Sequence, residues 1–238
     1  MTHEARGNNR SQKLGVLSMC GRFSFVDIED IRERFKAEPI NLRPSYNVAP
    51  SQDVAVMVNN GQLSMFKWGL IPFWAKDPSI GNKTINARAE TVDEKPSFKH
   101  SLQRKRCLIL ADGFYEWKKE GRTKRPHRIT LRNKELFGFA GLWDTWKSPT
   151  GEIVNSCSII TTTSNELMAP IHDRMPVILS RDSERVWLDQ SIVESHLLKS
   201  LLVPYPADLM IAYEVSTLVN SPKNNGPECL VRVISSLF

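Results

Sequence analysis

The run CLILADGFYEW (residues 107–117) starts with five apolar residues, followed by an Asp-Gly pair and an aromatic segment around Glu116. Five consecutive apolar residues predict a short buried strand. Glu116 follows this strand directly and lies between Tyr115 and Trp117. The run therefore predicts a sheet interior with a carboxyl group close to its end.

Further strand-like runs extend this sheet in both directions along the chain. Residues 54–58 and 63–67 flank Asn59-Asn60-Gly61-Gln62, a turn sequence that favours a β-hairpin. Other strands are predicted at 128–131, 136–140, 153–162, 177–179 and 210–215, and helices at 97–103, 181–189 and 192–202. Because these strands do not alternate regularly with helices, they predict an α+β fold. We expect one domain on a mostly antiparallel, barrel-like sheet with a few peripheral helices.

Length and composition agree with one globular domain. The chain has 238 residues, of which 41% are hydrophobic and 24% are charged, and no apolar run approaches the roughly 18–20 residues of a membrane-spanning helix. We expect a soluble, cytoplasmic monomer with no membrane partner. Residues 1–18 are polar and predict a leader that is absent or removed in the active form, so that the domain comprises residues 19–238.

Positive charge is concentrated in one part of the chain. The net charge is +6, yet the window from Lys99 to Lys134 contains twelve Lys and Arg residues against three acids. Such a concentration favours a polyanionic partner such as nucleic acid. The alternative is a solvated hairpin face.

The four cysteines are widely spaced, and no C-x-x-C pair is present. The pattern predicts neither a metal site nor a disulfide framework, and we expect no cofactor. Cys20 differs from the others because it follows Met19. If Met19 starts the chain and is removed, Cys20 gains a free α-amine, which can attack an aldehyde to form an imine that the thiol then closes to a thiazolidine. A buried structural cysteine is the alternative.

Four further residues carry side chains suited to catalysis or binding. Aromatic neighbours make Glu116 hard to ionise, as a general acid or base requires, although an outward-facing Glu paired with lysines is the alternative. His172 lies in a Pro-flanked loop after the 153–162 strand, where a structural His is equally compatible. Asn86 and Arg88 share one face of a strand, so they either hold a substrate or form a surface pair.

Six tryptophans are numerous for this length. Most are expected in the core. An exposed subset beside basic residues would stack on unpaired bases, and Trp68 next to Lys67 is the preferred candidate.

Four short segments occur together in a characteristic order: Met19-Cys20-Gly21-Arg22-Phe23, residues 86–91 (NARAET), residues 113–117 (GFYEW) and residues 172–176 (HDRMP). In this the chain resembles the SOS response-associated peptidase family, also described as abasic-site processing proteins. The resemblance covers essentially everything after the leader.

The resemblance implies a protein that binds single-stranded DNA and crosslinks itself to abasic sites through an N-terminal cysteine. It implies Cys20 as the nucleophile, with Asn86, Glu116 and His172 as its active-site partners. It further implies Arg22, Trp68 and Arg88 as DNA contacts. The family name also suggests self-removal of the residues before Cys20, and a lyase-like strand cleavage stays open.

The leader is the departure from this pattern, because a Cys20 nitrogen held in a peptide bond cannot form an imine. Two other functions therefore stay open. One is a conventional cysteine peptidase that uses Cys20 and His172 on protein substrates. The other is a non-catalytic module that binds single-stranded nucleic acid.

Overall fold

A computed structural model describes residues 20–28, 31, 34–35, 42–59 and 61–234. The predicted leader, residues 1–18, lies outside the described residues. The strands are β1 Phe23–Phe25, β2 Ser45–Val48, β3 Asp53–Val58, β4 Leu63–Trp68, β5 Asn86–Arg88, β6 Arg106–Ala111, β7 Gly113–Glu120, β8 Thr123–Leu131, β9 Phe137–Lys147, β10 Ile153–Thr163, β11 Arg174–Pro176, β12 Ile178–Leu179 and β13 Met210–Glu214. The α-helices whose bounds fall within the described residues are α1 Pro96–Arg104, α2 Arg181–Leu188 and α3 Ser195–Ser200.

Five strands close into a barrel. The pairings run β10–β4, β4–β3, β3–β6 and β6–β9, and β9 pairs with β10 to complete the ring. β6 is buried along its whole length, as its unbroken apolar sequence requires. The only parallel pairings of the named strands join β10 to β4 and to β5 in the part of the chain that the structure describes. The predicted α+β fold on a mostly antiparallel, barrel-like sheet is therefore confirmed.

The second sheet has five strands in the order β13, β8, β7, β1, β2. Its inner face packs on the barrel through aromatic contacts: the ring of Phe23 lies 5.1 Å from that of Trp68 and 5.8 Å from that of Phe139, and Phe114 also contacts Phe139. Its outer face carries Tyr115, which is buried with Val215 and Val219. This packing brings the β1–β7 pair against the end of the barrel.

The helices are peripheral, as predicted. α2 begins at the cap Ser180, whose hydroxyl accepts from the backbone N–H of Ser183, and it buries Trp187 against the barrel. Among the helices that the structure describes, none combines the length and apolarity needed to cross a bilayer.

Candidate active site

Cys20 and Glu116 meet because β1 pairs antiparallel with β7. Phe23 lies opposite Phe114, and the N–H of Tyr115 donates to the carbonyl of Arg22. Residues 20–22, just before β1, therefore lie beside the residues of β7 that follow Phe114, among them Glu116. The backbone nitrogen of Cys20 donates to Oε1 of Glu116 at 2.7 Å, and both residues are buried.

Burial governs the ionisation of this pair. It raises the pKa of Glu116, while the nearby His172 and the hydrogen bonds from Cys20 lower it. Burial, followed by the neighbouring Glu116 carboxyl, also raises the pKa of the Cys20 thiol well above its usual range, and Arg174 opposes this increase. The geometry thus gives Cys20 a proton acceptor at both its nitrogen and its sulfur.

His172 joins the pair from the loop between β10 and β11, in agreement with the predicted loop. Its ring is partly exposed, and its Nδ1 accepts from the backbone N–H of Arg174 at 3.1 Å. In the neutral ring this assigns the proton to Nε2. Asp173 Oδ1 also lies 3.0 Å from Nδ1. His172 therefore acts on Glu116 as an electrostatic neighbour and has one nitrogen left for a substrate.

Asn86 and Arg88 lie on β5, as the alternation predicted. β5 pairs with β10, with Asn86 opposite Ile159 and Arg88 opposite Thr161. Asn86 is half-buried and Arg88 is exposed. Because β10 leads into the His172 loop, β5 lies on the same side of the barrel as that loop. The role of Asn86 toward Cys20 stays a prediction.

Arg174 is a site residue to which the sequence analysis assigned no role. Its guanidinium is mostly buried and forms a two-pronged ion pair with Glu90, through hydrogen bonds of 2.5 and 3.0 Å, and it donates to the carbonyl of Thr161. It is also the cation that lowers the pKa of the Cys20 thiol. The only signal for it in the sequence is its position two residues after His172.

The predicted DNA contact at Trp68 is wrong. Trp68 is 0% exposed, its ring packs on Phe23, and its Nε1 donates to the carbonyl of Ile85. A ring enclosed in this way has no face on which a base can stack. Phe73 and Trp74, in the loop after β4, are instead 54% and 46% exposed.

Arg22 is mostly enclosed as well. Its Nη1 donates to Oδ1 of Asn47 and to the carbonyl of Val219, and its guanidinium lies 5.8 Å from the ring centre of Trp117. Burial lowers the pKa of this guanidinium. The side chain is thus held in place beside Trp117, and its contact with DNA stays a prediction.

The basic window does not form one surface. Arg106 is fully buried and donates to the backbone carbonyls of Trp187, Leu102, Gln103 and Asp189. Arg128 is buried in an ion pair with Asp112. Neither cation can face a polyanion. The exposed remainder is divided among α1, the tip of the β7–β8 hairpin and the loop after β8.

Comparison with known proteins decides the family. The family model described as SOS response associated peptidase matches residues 19–222. The chain belongs to this family. The match begins one residue before Cys20 and includes Asn86, Glu116 and His172.

Similar proteins agree with this family. The chain is 53% identical over 221 residues to the abasic site processing protein YoqW of Bacillus subtilis, with 89% of this chain and 99% of that protein covered. It is 35% identical over 226 residues to the abasic site processing protein HMCES of Xenopus tropicalis, with 81% of this chain and 67% of that protein covered. A crystal structure of a protein from Bacteroides thetaiotaomicron matches with a TM-score of 0.84 at 31% identity and covers 90% of this chain and 100% of that one.

Proposed function

We propose that this protein processes abasic sites in single-stranded DNA by forming a covalent crosslink between Cys20 and the opened sugar. The observation that carries the proposal is the 2.7 Å hydrogen bond from the Cys20 nitrogen to the buried Glu116 carboxyl. The names of relatives such as YoqW and HMCES describe abasic-site processing. Family membership therefore supports the substrate class, and the site geometry supports the chemistry.

The first step is imine formation. An abasic deoxyribose in its ring-opened form presents an aldehyde, and the unprotonated Cys20 amine attacks its carbon to form a carbon–nitrogen bond. Glu116, in contact with that nitrogen, takes a proton from it and returns the proton to the departing hydroxyl, so that one water leaves. A buried carboxyl with a raised pKa suits this exchange near neutral pH.

The second step closes the ring. The Cys20 sulfur adds to the imine carbon, its proton moves to the imine nitrogen, and a five-membered thiazolidine results without loss of further atoms. The raised pKa keeps the thiol protonated until Glu116 accepts the proton. The sulfur thus becomes nucleophilic only beside the carboxyl that has already bound the amine.

His172 and Asn86 assist around this centre. A neutral His172 has its proton on Nε2 and can donate it to the ring oxygen of the sugar, which favours the open aldehyde. Asn86 would orient the terminal amine with its side-chain amide. Both roles are proposed from position and chemistry.

The reaction requires Cys20 to be the first residue of the working chain. Either translation starts at Met19, which is then trimmed, or water hydrolyses the bond between residues 19 and 20 with Glu116 or His172 moving protons. Each route consumes one water and releases the Cys20 amine. That the family match begins at residue 19 supports this requirement.

DNA binding would rest on exposed groups near the site. Arg88 is exposed on β5 and suits a phosphate, and Arg22 is held beside Trp117. Phe73 and Trp74 replace Trp68 as candidates for stacking on bases because their rings reach solvent.

A conventional peptidase is the weaker alternative. Such an enzyme needs a thiolate with a lowered pKa, whereas burial and Glu116 raise the pKa of the Cys20 thiol. A purely non-covalent DNA-binding module would leave the buried Cys20–Glu116 pair without a function.

Denaturing electrophoresis tests the proposal. The mature protein should give a denaturation-resistant adduct with single-stranded DNA carrying an abasic site, and none with the same strand after reduction of the sugar. Cys20→Ala and Cys20→Ser both keep the terminal amine but lack the sulfur, so each should stop at a reversible imine and give no adduct that resists denaturation. A denaturation-resistant adduct that survives Cys20→Ala would exclude the mechanism.

A further inference from the structure

We propose that the outer face of the β7–β8 hairpin is a second DNA-binding surface, which holds phosphates of the strand on one side of the lesion. This inference rests on the proposed function. It concerns the part of the hairpin beyond Glu116, where the two strands extend to the turn at Gly121 and Arg122.

Strand alternation separates the charges of the hairpin into two sets. Successive side chains of a strand point to opposite faces, and directly paired residues share a face. Lys118 pairs with Arg125, and Lys119 pairs with Lys124. Lys118 and Arg125 therefore lie on the inner face with Glu116, and the two paired lysines lie on the outer face with Trp117.

The inner-face cations already have carboxylate partners. Lys118 Nζ and Arg125 Nε each lie 3.0 Å from Glu120, and Arg125 Nη1 lies 3.3 Å from Glu214. Two cations thus face two carboxylates. These exposed pairs contribute little to stability, yet they cancel the positive charge that this face would offer to DNA.

The outer-face cations lack such partners. Lys119 and Lys124 are exposed, and neither forms an ion pair with any residue that the structure describes. Trp117 follows on the same face, with the Arg22 guanidinium 5.8 Å from its ring centre. The outer face therefore presents two adjacent lysines without ion-pair partners at the tip of the hairpin, next to the partly buried ring of Trp117.

The position of the two lysines fits a strand of DNA that passes from the site to the hairpin tip. Lys119 lies three residues beyond Glu116 on β7, which is about 10 Å at roughly 3.3 Å per residue, and Lys124 lies beside it on β8. Stacked nucleotides rise about 3.4 Å each, so the lysine pair reaches phosphates about three nucleotides from the lesion. Two adjacent lysines without carboxylate partners suit neighbouring phosphates, which carry one charge per nucleotide.

The salt dependence of binding to lesion-free single-stranded DNA tests this surface. Two lost phosphate contacts should make the slope of log K against log salt shallower by about 1.4, at roughly 0.7 per contact for single strands. We expect this change for the double variant Lys119→Gln/Lys124→Gln. The matched control Lys118→Gln/Arg125→Gln removes the same charge from the same hairpin and should change the slope by less than half as much.

Two results would overturn the inference: an unchanged slope for Lys119→Gln/Lys124→Gln, or equal changes in both double variants. Oligonucleotides shortened on one side of the lesion provide a second readout, because the difference between Lys119→Gln/Lys124→Gln and wild type should vanish for only one flank. Wild-type crosslinking to an abasic strand is measured in parallel. Its absence would refute the proposed function, whereas an unaltered slope with crosslinking intact would refute only the hairpin surface.

Discussion

At the scale of single residues, the decisive contact joins the nitrogen of Cys20 to the carboxyl of Glu116. Burial disfavours the carboxylate, and the hydrogen bonds from Cys20 only partly offset that effect. The same carboxyl increases the proton affinity of the Cys20 sulfur. One acidic group thus controls both nucleophilic atoms.

Glu116→Gln should slow crosslinking by about 10²–10⁴-fold, the usual contribution of a general acid or base. The amide keeps the shape and the hydrogen-bond acceptor but cannot take up a proton. Protonation of the Cys20 amine should lower the rate at acid pH in both proteins. In wild type the rate should fall further as the pH drops through the raised pKa of Glu116, and this additional fall should be absent in the variant. Single-turnover gel assays across a pH series measure both effects. Identical acid limbs in wild type and Glu116→Gln would assign the additional fall to another group.

The raised pKa of Glu116 also has a consequence for stability. The folded protein holds this proton more tightly than the unfolded chain, whose Glu titrates near its ordinary pKa of about 4.3. The stabilisation that Glu116 contributes to the wild-type protein is therefore fully present below that pH. It is lost as the pH rises through the pKa of Glu116 in the folded state. Relative to wild type, Glu116→Gln should become more stable at pH 7 than at pH 4. Urea midpoints at the two pH values measure this, and a difference independent of pH would contradict it.

The chemistry of a residue was predictable from sequence where its immediate neighbours determine it. It was not predictable where the exposure of the side chain to solvent determines its role. The aromatic neighbours of Glu116 indicated a carboxyl that is hard to ionise, in agreement with the structure. Trp68 next to Lys67 looked equally suited to stacking, yet Trp68 closes the contact with Phe23. Which face of a strand is covered depends on the element packed against it, and this information is not local in sequence.

At the scale of elements, a buried polar cluster fixes β1 on β7. Asp112 accepts from the Ser24 hydroxyl and the Val26 N–H, and Arg128 of β8 donates to Asp112 at 2.7 Å. Gly113 makes this possible, because a Cβ there would lie 2.8 Å from the Arg128 guanidinium. The cluster sets the register that brings Cys20 to Glu116.

Arg128→Ala should destabilise the protein by about 3–5 kcal/mol, since it leaves the Asp112 charge buried without its partner. Chemical denaturation measures the loss. Arg125→Ala, three residues earlier on the same strand and exposed, serves as the control and should cost less than about 1 kcal/mol. Equal losses in the two variants would contradict the structural role of the cluster.

The two tryptophans near β4 should separate folding from binding. Trp68→Ala should cost about 3–5 kcal/mol of stability because a fully buried ring is lost. Trp74→Ala should leave stability nearly unchanged and weaken binding to single-stranded DNA by about 1–3 kcal/mol. Thermal unfolding and fluorescence anisotropy measure the two quantities. Unchanged DNA affinity in Trp74→Ala would remove it as a stacking residue.

Element boundaries followed from sequence only where the apolar pattern was clear. The 54–58 and 63–67 hairpin and the strand in 107–111 are confirmed by β3, β4 and β6. β9 continues seven residues beyond its predicted end at 140, because its second half pairs with β10. The alternative interpretation of the basic window as a hairpin face agrees with the β7–β8 hairpin, although neither strand was predicted over its full length.

At the scale of the whole molecule, the fold joins distant parts of the chain into one site. Cys20 and Glu116 are 96 residues apart in sequence, and His172 reaches them from the loop after β10. Only the pairing of β1 with β7 and the packing of that sheet on the closed barrel bring them together. Local patterns predicted the barrel-like class, whereas the resemblance to a family supplied the grouping of these residues.

Intact-mass spectrometry of the adduct, followed by peptide mapping, is the measurement that tests the account most directly. The untagged protein is reacted with a short single strand bearing one abasic site. The account predicts a polypeptide that begins at Cys20, joined to the oligonucleotide with the loss of one water, and a crosslinked peptide that contains Cys20. An adduct on a chain that still carries residues before Cys20, or one mapped to any other residue, would contradict it.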